Sequence, residues 1–266
     1  MKTKFFIIAA IVGMVLVGCK KKIEEPGVLT MTTTVSGEYK LYITGTGTAN
    51  IDWGDGSSDI VTLSYFPENF AEYYFKRTYA SAGEKTITVT GNVLSLYTNI
   101  SGKVTALDVS KMPALKLLWC SNEKLTSLDV SKNTALTELS CAANKLEDLD
   151  VSKNTALTYL NCGFNNLTKL DVSTNTALIE LYCYYNNLNT LTLGTHNALG
   201  RLECFDNDLN KMALVDIFYK LPVRKPADDA WIWCGGFLYQ NPGYWELTPA
   251  EKQIAMNKNW QIGDFY

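Results

Sequence analysis

A stretch of 21 residues that returns in register constrains this chain more than anything else in it. Aligned as LDVSKNTALTELSCAANKLED from Leu128, it begins at Leu107, Leu128, Leu149, Leu170 and Leu191, and a sixth start falls at Met212. The same offsets carry the same residue types: Leu115, Leu136, Leu157, Leu178 and Leu199; Leu118, Leu139, Leu160, Leu181 and Leu202; Cys120, Cys141, Cys162, Cys183 and Cys204. A copy of this length has an apolar edge it cannot cover by itself. Successive copies therefore stack as coils, each burying that edge against its neighbours.

The rest of the chain is organised around this solenoid. Its slightly acidic balance, a net charge of -3, leaves no basic footprint and argues against nucleic acid as a partner. At the head, residues 1–18 carry Lys2 and Lys4 and then an apolar run over 5–17 that is short for a membrane span. The run ends in Leu16-Val17-Gly18-Cys19, which resembles a bacterial lipoprotein signal. The resemblance implies cleavage before Cys19, acyl chains on Cys19 and an N-terminal anchor in the outer membrane, facing either the periplasm or the cell exterior. Residues 19–27, rich in Lys and Glu and ending in Pro26-Gly27, then read as a solvated tether.

Between 28 and 92 the pattern changes to short alternating runs at 29–35, 39–43 and 86–90, broken by turns such as Gly45-Thr46-Gly47. Rich in Thr and Tyr, this stretch reads as a small antiparallel β domain. Its Ile51-Asp52-Trp53-Gly54-Asp55-Gly56, and Tyr79 followed by Gly83 and residues 86–91, look like the signatures of a PKD-type, Ig-like β-sandwich. Thr86 departs from that pattern, which prefers an aromatic residue there, and the loop over 64–71 is irregular. The resemblance implies a spacer or binding module. Asp52, Asp55 and Asp59 have a spacing that suits calcium, but Gly-Asp-Gly also supplies turn geometry in which Asp bonds nearby amides, and this second reading is the stronger.

Residues 93–211 form the solenoid, with a worn first coil over 93–106 in which Asn99 takes the slot of Cys120. A degenerate terminal coil is expected where a solenoid is capped, here by the β domain. Each full copy contains L-x-x-L-x-C-x-x-N-x-L, as in Leu136 to Leu146. This resembles the leucine-rich repeat, in the cysteine-ladder form of internalin-like and Bacteroidetes surface proteins. Asn144, Asn165, Asn186 and Asn207 form its asparagine row, which Glu123 interrupts. The inward Cys row reads as free, buried thiols: stacked coils bring neighbours within disulfide range, but side chains pointing the same way suit the S–S dihedral poorly. No His or carboxylate joins them at metal-site spacing, so neither a metal nor a cofactor is expected. Asp108, Asp129, Asp150 and Asp171 need backbone or Ser donors, nearby Lys, or a cation, and repetition in every coil favours a structural role. His196, the single histidine, occupies the turn slot of Asn133, Asn154 and Asn175.

In such a coil the variable residues of the strand line one concave sheet. Four rows follow: Leu117, Glu138, Tyr159, Glu180, Arg201; Trp119, Ser140, Asn161, Tyr182, Glu203; Ser121, Ala142, Gly163, Tyr184, Phe205; and Asn122, Ala143, Phe164, Tyr185, Asp206. Over 212–266 a mixed α/β cap is expected, with helices at 212–221 and 248–258, the latter capped by Thr248 and Glu251. Between them Ile232 and Cys234 restore the inward slots, so Trp231 and Trp233 extend the first two rows. The candidate ligand-binding set is Tyr159, Phe164, Tyr182, Tyr184, Tyr185, Phe205, Trp231 and Trp233, with Glu180, Arg201, Glu203 and Asp206 as polar partners. Exposed aromatic residues on a rigid sheet anchor protein interfaces and also stack on sugars. The expected function is thus a monomeric, non-enzymatic protein that binds a protein or glycan. The competing readings are a glycan-active enzyme using Glu180 and Glu203 and an envelope spacer with no ligand.

Overall fold

The computed structural model describes residues 26–64, 74–98, 103–235 and 241–263. The leader, Cys19, the tether up to Glu25, most of the irregular loop and Asn99 lie outside the described residues. Fifteen labelled elements follow in chain order: β1 (Gly27–Asp52), β2 (Ser58–Thr62), β3 (Phe75–Tyr97), β4 (Val104–Lys111), β5 (Leu117–Trp119), β6 (Glu138–Ser140), β7 (Tyr159–Asn161), β8 (Lys169–Asp171), β9 (Glu180–Tyr182), β10 (Thr190–Thr192), β11 (Arg201–Glu203), α1 (Lys211–Lys220), β12 (Ala230–Trp233), α2 (Pro249–Met256) and β13 (Trp260–Gly263).

The N-terminal strands alternate buried and exposed positions, as a period of two requires when one face meets a core. Leu29, Met31, Leu41, Ile43, Ile51, Trp53, Ile87 and Val89 are fully buried. β1 bends at Gly37 and Gly47, both with positive φ, so successive stretches of it pair antiparallel with different stretches of β3. The Trp53 turn is closed from several sides. Trp53 Nε1 donates to Asp59 at 2.7 Å, Tyr79 Oη donates to the Trp53 carbonyl at 2.7 Å, and Gly54 N donates to Asp52 at 2.9 Å. Asp55 accepts from Ser57 and from Arg77 Nε, and these bonds, the Ser57 hydroxyl first, hold its carboxyl down at about 2. All three carboxylates thus have protein donors, in line with the turn reading.

The β unit and the coils share one sheet. Its path runs β2-β1-β3-β5-β6-β7-β9-β11-β12-β13, with β4 on the other edge of β1. β3 is antiparallel to β1, yet its end, Ser95-Leu96-Tyr97, is parallel to Leu117-Leu118-Trp119. The position expected to separate the two regions, 92/93, therefore lies inside a continuous strand. The back of the first coil is tied as well, because Leu107 and Asp108 in β4 pair with Met31 and Thr30 of β1.

From β5 onward the concave strands are three or four residues long and pair in parallel, with Leu118, Leu139, Leu160, Leu181, Leu202 and Ile232 aligned at the centre and fully buried. Cys120, Cys141, Cys162, Cys183 and Cys204 are free and buried, and Cys234 is buried with them. Burial pushes the thiols of Cys120, Cys141, Cys162, Cys183 and Cys204 up, that of Cys141 to about 12, so they are inert apolar filling. Polar contacts between coils run through two asparagine rows. In the first, Oδ1 of Asn144, Asn165, Asn186 and Asn207 accepts from the amides of Leu125, Leu146, Leu167 and Leu188 in the coil before. Each Nδ2 donates to the Cys carbonyl of that coil and to its own. In the second, Asn133, Asn154 and Asn175 are fully buried and donate to two carbonyls of the preceding coil.

Both ends of the first row continue further than the repeat does. Asn241 Oδ1 accepts from Leu209 N, and its Nδ2 bridges the carbonyls of Cys204 and Cys234. Glu123, expected to interrupt the row, performs its accepting half: Oε2 takes the amides of Lys103 and Val104 at 2.8 and 2.9 Å. His196 is buried in the second row, where Nε2 accepts from Gly194 N at 3.1 Å and burial lowers its pKa. Asp108, Asp129, Asp150 and Asp171 accept from the amides of Ser110, Ser131, Ser152 and Ser173 at 2.8–2.9 Å, closing each turn. Among the described residues no group of three or more His, Cys, Asp or Glu is placed to hold a metal.

At the C-terminal end α1 is capped by Asn210, whose Oδ1 accepts from Ala213 N, and buries Leu214, Ile217 and Phe218. α2 has Thr248 as N-cap in a reciprocal box with Glu251. β12 and β13 add two parallel strands to the sheet. Among the described residues no helix is long and apolar enough to cross a membrane.

Glu123 generates a test. A carboxylate accepts but cannot supply the amide donors of the row, and burial raises its pKa above the usual range. A raised folded value means that this group contributes stability below its unfolded value of about 4.3, and that the contribution is lost as pH rises through the folded value. Glu123→Asn is expected to raise the Tm at pH 7 by an amount corresponding to about 1–2 kcal/mol. The gain should shrink as pH falls toward about 4.5. Thermal melts across that range check it; a variant less stable than the parent at pH 7 contradicts the account.

Candidate binding face

Because the strands pair in register, residues flanking each central Leu line up into two rows. The first reads Leu117, Glu138, Tyr159, Glu180, Arg201, Trp231 and Gln261, and the second Tyr97, Trp119, Ser140, Asn161, Tyr182, Glu203, Trp233 and Gly263. Their rings form a nearly continuous rail. Centroids lie 5.3 Å apart for Tyr97–Trp119, 6.5 Å for Trp119–Tyr159 and 5.5 Å for Tyr159–Tyr182. Tyr159 and Trp119 lean toward each other across coil β6, whose second-row residue is the small Ser140. Past Tyr182 the guanidinium of Arg201 takes the place of a ring, 5.5 Å from the Tyr182 centroid and 5.6 Å from that of Trp233. Trp231 then meets Trp233 edge-on at 6.5 Å. Trp233 lies against Gly263, where a Cβ would come within 2.3 Å of its Nε1.

The expected third row adjoins this face, with Phe205 6.4 Å from the Trp233 ring, but the fourth leaves the strand. Asn122, Ala143, Phe164, Tyr185 and Asp206 all adopt the left-handed conformation, φ 50–57°. That conformation turns the chain out of the strand, so the fourth row sits on a corner beside the sheet. There Phe164 stacks on Tyr185 at 4.4 Å and 9°, and Tyr184 stacks on Phe205 at 4.9 Å and 3°. Gly163 makes room, since a Cβ there would lie 3.1 Å from the Tyr184 ring. Gly163 in the third row thus leaves the space that Tyr184 of the next coil fills.

The candidate set therefore divides. Tyr159, Glu180, Tyr182, Trp231 and Trp233 are half-buried along the rail and Arg201 is exposed. Phe164, 48% exposed, stands with Tyr184 and Tyr185 on the corner. Glu203, Phe205 and Asp206, at 7%, 7% and 4%, are covered by their neighbours. Tyr97 and Trp119 belong to the rail and were not in the set. Trp119 opens the second row in the sequence, but Tyr97 lies in the worn coil, where no repeat signal marks its place.

The polar groups on the face are engaged with one another. Arg201 Nε and Nη2 both reach Oε1 of Glu203, at 2.9 and 2.8 Å. Burial raises the Glu203 pKa while Arg201 counters it. Glu180 accepts from Tyr182 Oη at 2.6 Å. Glu203 is thus an ion-paired, covered carboxylate, and Glu180 is held by the Tyr182 hydroxyl.

Gly163→Val places branched methyl carbons where Tyr184 now rests. It is expected to unstack Tyr184 from Phe205, reduce the near-ultraviolet circular dichroism and cost about 1–3 kcal/mol. An unchanged spectrum and Tm would remove the packing role assigned to Gly163.

No family model matches the chain, and no curated protein matches it. Among solved structures, it is similar to the functional domain of InlJ from Listeria monocytogenes, described as including a cysteine ladder: 30% identity, 56% of this chain and 38% of that one, TM-score 0.45. It is also similar to an internalin, InlF, from Listeria monocytogenes str. 4b F2365, at 16% identity, 64% and 46% coverage and TM-score 0.42. A third is the leucine-rich-repeat domain of APL1B, at 22% identity, 42% and 41% coverage and TM-score 0.35. The chain spans less than half the length of each.

Proposed function

We propose that this chain is a lipid-anchored envelope protein of the adhesion type, which binds a protein or glycan on the concave face of its solenoid. Acyl chains on Cys19 hold it at the outer membrane, and the N-terminal β unit, with its PKD-like turn signatures, acts as the spacer that presents the coils. The observation that carries the reading is the aromatic rail of Tyr97, Trp119, Tyr159, Tyr182 and Trp233, mounted on rigid paired strands. Half-buried rings on a preorganised surface lose little entropy when a partner covers them, which is why such residues dominate interfaces. The spacing of the coils does not need them: Ser140 and Asn161 occupy the same row.

The binding reading is tested with the soluble chain lacking its first 25 residues, screened against glycans and envelope and host proteins. Trp119→Ala/Tyr159→Ala/Tyr182→Ala should weaken any partner found by at least about tenfold for each lost anchor of about 1.4 kcal/mol. A folded triple variant that keeps full affinity for every partner overturns the concave-face reading. The anchor is tested separately. Labelled palmitate should enter the parent protein, and Cys19→Ala should lose the label and leave the membrane fraction; label retained in Cys19→Ala overturns it.

A further inference from the structure

Resting on the concave-face reading, we infer that the partner is a protein and that it presents a basic, extended segment whose Lys or Arg side chains enter the acid-flanked aromatic rail. The charge on the face points there. Glu138, Glu180, Glu203 and Asp206 lie on or beside the rows, against Arg201 and, at the strand-start edge, Lys116. Arg201 is spent on Glu203, and no described Lys or Arg forms an ion pair with Glu138 or Glu180. Both carboxylates are half-buried in the first row and bracket Tyr159, which lies between them in register.

The molecule already contains an example of how such a cation is held. Arg201 rises from the first row and lays its guanidinium between the rings of Tyr182 and Trp233, 5.5 and 5.6 Å from their centroids, with both nitrogens on Glu203. Rings in the second row two strands apart, about 9.6 Å at the usual strand spacing, leave room for one planar cation over the carboxylate between them. Toward the β unit Tyr97, Trp119 and Tyr159 pack directly on one another, 5.3 and 6.5 Å between centroids, with Glu138 beside them in the first row, so a cation there lies against one ring next to a carboxylate and not between two rings. Glu138 and Glu180 lie two coils apart, again about 9.6 Å. An extended strand repeats same-side residues every 6.4–6.8 Å, and a flexible Lys or Arg stem spans the difference. A neutral glycan could stack on the rings and donate hydroxyls to these carboxylates, but only a cation brings them a countercharge.

The test uses the soluble chain and three probes: an (Arg-Gly)4 peptide, the same peptide with citrulline for arginine, and a neutral β-1,4-linked glucose hexasaccharide. Citrulline keeps the shape and removes the charge. The arginine peptide should quench tryptophan fluorescence and bind at least tenfold more tightly than the citrulline one. Glu138→Gln/Glu180→Gln should reduce that binding about tenfold and flatten its salt dependence, whereas Asp148→Asn/Asp150→Asn, on the back of the coils, should leave it unchanged. Equal binding of both peptides, equal loss in the front and back variants, or no peptide binding at all overturns the inference. If the hexasaccharide alone binds, and Trp119→Ala/Tyr159→Ala abolishes it, the cationic partner is wrong while the concave-face reading stands.

Discussion

The asparagine side chain bridging one coil to the next is the contact on which the rest of this structure depends. A three-residue strand makes too few backbone bonds to hold a coil, and the turns between strands leave amides and carbonyls facing inward. Each buried group of that kind costs roughly 1–3 kcal/mol if unpaired. One Asn such as Asn165 satisfies the Leu146 amide and the carbonyls of Cys141 and Cys162 together. Repeated every 21 residues, it fixes rise and register, and Leu and Cys then fill the space inside.

A row of this kind must end somewhere, and each end is handled differently. At the C-terminal side Asn241 continues the row across a longer loop, so α1 and β12 are tied to the last regular coil. At the N-terminal side Glu123 meets the worn first coil at Lys103 and Val104, accepting two amides without the donors that asparagine would offer. The junction relies instead on β3, which belongs to both regions at once. A shared strand couples the β unit to the first coil through backbone bonds, within one continuous sheet.

The same register that holds the coils lines up the rail. Rings in successive coils approach closely because the pairing puts their Cα atoms one strand apart, and the small residues Ser140 and Gly163 give the larger ones room to lean. Arg201 filling a ring position, with Glu203 beneath it, shows that this face accommodates charge as well as aromatic surface.

The repeat alone determined the coils, their inward Leu and Cys, the asparagine row and the alignment of Trp231 and Trp233 with the first two rows. Each follows from period and residue type, which are local properties. What only the tertiary structure decided are matters of direction and cover. The left-handed turn at Phe164, Tyr185 and Asp206 moves the fourth row off the sheet, since the sequence marks it with no glycine. Glu203 and Phe205 are covered because Arg201 and Tyr184, from their own or a neighbouring coil, fold over them. Asn241 and Tyr97 join rows from segments that have lost the period, and spacing cannot place a residue once the number of residues per coil changes.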